Sequence, residues 1–193
     1  MTDSTSEGDE WADALAGDSH AFAAVYDLHR ERVYRLALRL AENRHDAEDL
    51  VATAFLELWR RRHSVRVVGG SVLPWLLVTA SNAAKNQARG IRRHRKLIEA
   101  IPRTADDGLS ALEAVDDAVD HAAFAGELRR MPDQDRALLV MTALEGYSTA
   151  AAAEALGISA GAARVRLHRL RGRLRDAYRR TLPNVAAEEG GTQ

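Results

Sequence analysis

The sequence predicts an all-α protein: two small helical domains joined by a flexible acidic linker, the second domain a helix-turn-helix. Three observations predict it. Alanine and leucine dominate and β-branched runs are few, so helix propensity prevails along the chain. The four prolines, Pro74, Pro102, Pro132 and Pro183, fall where a helix would begin or end. Apolar residues recur at helical spacing, and no useful stretch alternates with period two.

The elements follow in order. Residues 1–18 carry six acids and no base, and residues 1–17 read as a disordered acidic N-terminus. A first domain is predicted over residues 18–97. Its opening helix aligns Phe22, Val25, Tyr26, His29, Val33, Leu36, Ala37 and Leu40 on one apolar face. His29 there reads as a packed or rim residue rather than a ligand. Asp46 reads as the N-cap of the next helix, with Asp49 as a capping-box partner in place of the usual glutamate. Behind it Leu50, Val51, Ala54, Phe55, Leu58 and Trp59 form a second stripe. Gly69-Gly70 mark Ser64–Val72 as a loop, and Pro74 starts a third helix that runs to Lys96.

Residues 98–122 read as the linker, from the weakened periodicity and the acids Asp106, Asp107, Glu113, Asp116, Asp117 and Asp120. A second domain is predicted over residues 123–182 and a disordered tail over 183–193. Within the second domain a helix starts at Ser148 or Thr149, Gly157 supplies a turn, and a second helix carries the arginines. Ala153, four residues before Gly157, is small where two helices approach closely. That is the helix-turn-helix pattern, whose second helix enters the major groove of DNA. Each domain has only about 60 to 80 residues, so each core is small.

A net charge of −1 hides a strong asymmetry. Residues 86–98 hold five bases and no acid, residues 99–135 ten acids against three bases, and residues 164–180 eight arginines against Asp176 alone. Ordinary surface helices mix signs to form ion pairs, so the last block points to a polyanion. On its helix Arg164, Val165, His168 and Arg169 line one face. Arg166, Arg171, Arg173 and Arg175 spread around the rest, and Leu167, Leu170 and Leu174 form the buried side. Arginine suits this role because its planar fork binds guanine or phosphate bidentately. On the Pro74 helix Asn82, Lys85, Asn86, Arg89, Arg92, Arg93 and Lys96 make a second polar and basic stripe. Trp75 and the glycine-containing loop before it stand where unstacked bases could be held, unless the ring simply packs in the core.

Other function classes find no support. There is no cysteine, so no disulfide, thiolate metal site or cysteine nucleophile. The seven histidines are scattered, without a helical ligand pair. No nucleophile triad or phosphate-cradling glycine loop occurs, so neither an enzyme nor a cofactor is expected. No apolar stretch approaches the roughly 18 to 20 residues that span a bilayer, and the acidic N-terminus lacks a signal-peptide pattern. A soluble cytoplasmic protein without membrane insertion is the expectation.

Taken together, these residues resemble the extracytoplasmic-function (ECF) sigma factors of bacterial RNA polymerase, over about residues 18 to 180. GDSHAFAAVYDLHRERVYRLALRL and DAEDLVATAFLELWRRR are similar to the opening and polymerase-binding helices of sigma domain two. PWLLVTASNAAKNQARGIRRHRK resembles the promoter-melting and −10-reading helix, and MPDQDRALLVMTALEGYSTAAAAEALGISAGAARVRLHRLRGRLRD resembles sigma domain four. The resemblance implies core RNA polymerase and promoter DNA, both duplex and melted nontemplate strand, as partners, and raises an anti-sigma factor as a third. It implies that Asp46, Glu48, Asp49 and Leu50 lie on the clamp-docking helix. Trp75, Asn82, Lys85, Asn86 and Arg89 would read the −10 element, and Arg164, Val165, Arg166, His168 and Arg169 the −35 element. The loop Ser64–Val72 matches the place where the family captures a flipped-out nontemplate base. The linker would lie along the polymerase interior and RNA exit path.

Two departures stand out. Ala52-Thr53 replace the family's common Gln-Glu on the clamp helix. Ala151-Ala152-Ala153 replace Glu-Ile-Ala in the first helix of the helix-turn-helix, which thins the core and removes a capping-box glutamate. The rival reading is a stand-alone helix-turn-helix regulator that binds a DNA palindrome, as a dimer, without polymerase.

Overall fold

The computed structural model of the chain describes residues 4–99 and 126–181, with side chains over 7–90 and 126–176. The predicted linker beyond Glu99 and the tail lie outside the described residues. The first helices are α1 (Ser4–Ala16), α2 (Ser19–Leu40), α3 (Arg44–Arg61) and α4 (Leu73–Glu99), with a single 3₁₀ turn at Arg62–Ser64. After them come α5 (126–130), α6 (Asp133–Leu139, extended by a wide turn over Val140–Leu144), α7 (Thr149–Leu156) and α8 (Ala160–Thr181). No β-strand is formed among the described residues, and none of their helices is long and apolar enough to cross a membrane.

The first correction concerns the N-terminus. The segment expected to be disordered forms α1, because Glu7, Trp11 and Ala14 recur four and three residues apart and fall on one face. All three are buried against the remaining helices, at 7%, 5% and 0% exposure. Gly17 then turns the chain with φ of 100°, and the Asp18 carboxylate caps α2 by accepting from the His20 and Ala21 N–H groups. The second correction concerns the cap of α3. Asn43 takes that position, its Oδ1 accepting from Asp46 N at 2.9 Å while its Nδ2 donates to the Asp46 carboxylate at 3.0 Å. The cap therefore stands three residues earlier than the periodicity of the apolar stripe indicates. Ser148 does cap α7, and Gly157 ends it in the left-handed conformation at φ of 65°, as read from the sequence.

The first core gathers Val25, Val33, Leu36, Phe55, Leu58, Leu73, Leu76 and Leu77, all at 4% exposure or less. Each such side chain removed from water contributes about 1.5 to 3 kcal/mol. Phe22 meets Trp59 edge-to-face at 4.9 Å, and Tyr26 meets Phe55 at 4.6 Å. The second core holds Leu128, Leu138, Met141, Ala152, Ala153, Ala163, Leu167 and Leu170. The two join into one buried cluster, because α6 and α7 pack directly on α4.

Candidate nucleic-acid interface

The helix-turn-helix is built by three local causes. Ser148 Oγ accepts from Ala151 N at 3.1 Å to start α7, and Gly157 reverses the chain. Ser159 Oγ then accepts from Ala162 N at 3.1 Å to start α8. Ala163, Leu167 and Leu170 turn inward, which forces Arg164, Val165, His168 and Arg169 to face solvent near the N-terminal end of α8. Val165 is 52% exposed, an unusual place for a valine and a suitable one for apolar contact with a thymine methyl. Arg166 behaves differently from its neighbours. It is half-buried, donates to Gln134 Oε1 at 2.7 Å and lies 3.7 Å from Asp135.

The second face lies in a groove of about 520 Å³ between α3 and α4. Trp75, Asn82 and Asn86 line it, with Thr53 and Arg61 on the opposite wall. Trp75 is half-buried, one side of its ring packed against the core, while Asn82, Asn86 and Arg89 are exposed. Next to the groove, residues 65–72 form a tight hairpin. Val68 and Ser71 exchange N–H···O bonds at 3.1 and 3.2 Å, and Gly69 and Gly70 take φ of 61° and 76°. Two consecutive positive φ values are the signature of a type I′ turn, which side chains other than Gly or Asn resist.

The polymerase-contact residues implied by the resemblance separate. Glu48 and Asp49 are exposed, but Leu50 points into the core at 3% exposure. Asp46 is tied inside the domain, its Oδ1 accepting from Gln87 Nε2 on α4 at 2.7 Å. Ala52 and Thr53 are exposed beside Glu48 and Asp49, so the departure from Gln-Glu lies on the surface and leaves packing untouched.

Several contacts between and within the two domains have no counterpart in the sequence reading. The Lys85 ammonium pairs with Asp133 in the first turn of α6 at 2.5 Å, and Arg32 donates to Glu145 at 2.6 Å. Arg173 reaches Asp135 at 3.4 Å. Arg66 of the hairpin donates to the Glu154 carbonyl at 3.0 Å. Arg136 is buried, and its guanidinium donates to the carbonyls of Leu128 (2.7 Å), Met131 (2.9 Å), Arg129 (3.4 Å) and, across the domain boundary, Ser81 (3.1 Å). Burial pulls its pKa below the ordinary guanidinium value, and the nearby Asp133 carboxylate works against that shift. Only long-range geometry reveals these partners; Asp133 is separated from Lys85 by 48 positions.

In this arrangement the Lys85 ammonium is engaged by a carboxylate and so is less free to meet another anion. Asp133→Asn is therefore expected to raise the affinity of the free chain for a fluorescent single-stranded oligonucleotide about two- to fivefold at low salt, the range a partly exposed ion pair spans. At about 1 M salt, with a screening length near 3 Å, the difference should vanish. Fluorescence anisotropy at the two salt concentrations checks both statements.

Both domains are similar to known proteins. Residues 25–95 match the family described as Sigma-70 region 2, and residues 121–174 the family described as Sigma-70, region 4. The chain is 30% identical over 158 residues to the ECF RNA polymerase sigma factor SigL of Mycobacterium tuberculosis, a match covering 80% of this chain and 87% of that protein. It is 34% identical over 168 residues to the ECF sigma factor SigE of Mycolicibacterium smegmatis, covering 83% of this chain but 63% of that longer relative. Among solved structures, CnrH in complex with the cytosolic domain of CnrY superposes with a TM-score of 0.62 at 20% identity, over 90% of this chain and 97% of that one. The sigma factor RpoE, in complex with the anti-sigma factor NepR from Bartonella quintana, superposes with a TM-score of 0.58 at 21% identity, over 82% of this chain and 96% of that one. At those identities the superpositions establish a shared fold.

Proposed function

The chain belongs to the ECF RNA polymerase sigma factors, and from that premise we propose that it binds core polymerase, reads a bipartite promoter and opens it. One observation carries the reading: the Trp75–Asn82–Asn86 groove lies on a different domain from the arginine face of α8. Two nucleic-acid faces of different character, carried by different domains, suit two promoter elements in different states. The helix-turn-helix presents Arg164, Val165, His168 and Arg169 to duplex DNA, the arrangement that reads base edges in a major groove. The groove offers an aromatic ring for stacking and two amides for base edges, which suits the melted nontemplate strand. Lys85 and Arg89 supply phosphate contacts beside it.

Polymerase docking falls to Glu48 and Asp49 on the exposed face of α3, with Leu50 setting their position from the core. The protein does no chemistry of its own. Promoter opening proceeds by binding energy, each base taken from the stack at a cost of a few kcal/mol and held in a protein pocket. It acts in the cytoplasm beside the polymerase, and an anti-sigma factor, of the kind bound to the Bartonella relative, is its regulator. A stand-alone helix-turn-helix regulator leaves the α3–α4 groove without a task.

The test is transcription in vitro from a pool of genomic fragments, using sigma-free core polymerase with and without the full chain. Protein-dependent transcripts that share two upstream elements at fixed spacing are expected. Sequence-specific shifts of duplex DNA without polymerase, and no transcripts, would overturn the reading in favour of the stand-alone regulator.

A further inference from the structure

The 65–72 hairpin beside the groove, where the family resemblance puts capture of an unstacked base, is held by α1. Glu7 is 7% exposed, and its Oε1 accepts the Val72 N–H at 2.8 Å, where the hairpin passes into α4. The same oxygen lies 2.8 Å from Nε2 of His29, a residue of α2 that is 1% exposed. Ser71 completes the corner: its Oγ accepts from Leu73 N at 3.1 Å, and its hydroxyl stabilises the ionised Glu7 carboxylate. Burial alone would raise the Glu7 pKa, but the His29 hydrogen bond and charge, the Val72 N–H and Ser71 outweigh it and hold the carboxyl below its ordinary value. An anion placed at the N-terminus of α4 is further favoured by the helix dipole.

The opposite side of the hairpin is held by domain four. Ser71 also interacts with Tyr147, whose pKa burial raises against the effects of Ser71 and Arg32, and Arg66 bonds the Glu154 carbonyl. Those contacts exist only while α6 and α7 rest on α4. A chain that engages two promoter elements spaced along DNA must release them. Glu7 is then the only side chain outside the hairpin that still fixes its backbone, among the hydrogen bonds of the described residues.

We infer that Glu7 is a positioning residue of promoter opening: from α1 it sets the geometry of the 65–72 hairpin, and so which unstacked base that hairpin accepts. The inference rests on the sigma-factor reading above. It makes the N-terminal helix part of the DNA-opening apparatus rather than an appendage to it. His29 keeps the carboxylate aimed at Val72. The buried side chains of Val68 and Val72 anchor the base of the hairpin, while its tip is two exposed glycines whose path depends on how that base is held.

The experiment compares the full-length wild-type chain with Glu7→Ala, Glu7→Gln and Asp13→Ala, the last an exposed site on the same helix. Three quantities are read: affinity for core polymerase, open-complex yield on a duplex promoter, and preference among the four bases at the captured nontemplate position on a pre-melted promoter. Circular dichroism melting confirms that each variant is folded. Glu7→Ala should bind core normally but lose about tenfold in open-complex yield and flatten the base preference, as expected when a buried charge-assisted hydrogen bond is removed. Glu7→Gln, whose amide oxygen still accepts from Val72 N–H, should recover most of the base preference, and Asp13→Ala should match the wild type. Wild-type base preference in folded Glu7→Ala would overturn the inference, as would an equal loss of core binding. Absence of open complexes with the wild-type chain would instead count against the sigma-factor reading itself.

Discussion

Replacing Arg136 by Ala is expected to destabilise the chain by about 3 kcal/mol or more, the range for a buried, hydrogen-bonded charge whose partners are left behind. The guanidinium is 3% exposed and closes the C-terminal end of α5, where the Leu128, Arg129 and Met131 carbonyls converge. Helix ends leave carbonyls that need a donor, and here one side chain serves three of them and reaches Ser81 on α4 with a fourth bond. A domain of about 60 residues has only a few kcal/mol of stability in reserve, so this single change should unfold domain four while leaving α1–α4 intact. Arg136→Lys should fail to rescue it, because an ammonium cannot reproduce the planar fork. Hydrogen exchange checks the claim. The amides of Ala137–Met141 should lose protection, and those of Leu73–Ala80 should keep it.

The second large effect concerns sequence reading. Arg164→Ala and Arg169→Ala should each weaken binding to the upstream promoter element about 10- to 100-fold, the range of 1 to 3 kcal/mol for a bidentate contact to a base. Both side chains are exposed, and neither makes a hydrogen bond or ion pair with the described residues, so truncating them removes little from the fold. Arg166→Ala should act by another route, since that guanidinium serves Gln134 and Asp135 within domain four. Polymerase affinity should be unchanged for Arg164→Ala and Arg169→Ala. Electrophoretic competition between matched and mismatched upstream elements, with a core-binding assay alongside, reads both quantities. Loss of core binding by either variant would contradict the division of labour between the domains.

What the sequence made legible follows from the range of the forces involved. The four long helices and the helix-turn-helix rest on apolar periodicity, capping residues and one left-handed glycine. All of these act within a few residues, and all but the cap of α3 stand where the sequence puts them. The triple alanine of α7 could also be read locally: Ala152 and Ala153 are buried, and Ser148 caps the helix without a glutamate partner. Helix α1 was missed because its acids were weighed as composition, while the spacing of Glu7, Trp11 and Ala14 was the informative signal. The cap of α3 was misplaced because Asn43 precedes the apolar stripe by more than a turn. Leu50 was assigned to a surface role by resemblance, although its place in the stripe with Ala54 and Leu58 already pointed inward. Arg136 and the Lys85–Asp133 pair had no local signal at all, since the partners of each lie on other helices and are set by packing.

The distribution of indole rings has a practical consequence. The three tryptophans occupy α1, α3 and α4, and domain four, among its described residues, holds Tyr147 and Tyr178 but no indole. Trp11 is buried where α1 docks, Trp59 lies under the Arg62 guanidinium at 4.3 Å, and Trp75 borders the groove. Selective excitation of indole emission therefore watches the first domain alone. Quenching of Trp75 by a stacked base would register strand capture without any label, and melting of domain four would pass silently in the same channel. The protein thus carries its own spectroscopic division between its halves, written by where its few large aromatic residues fall.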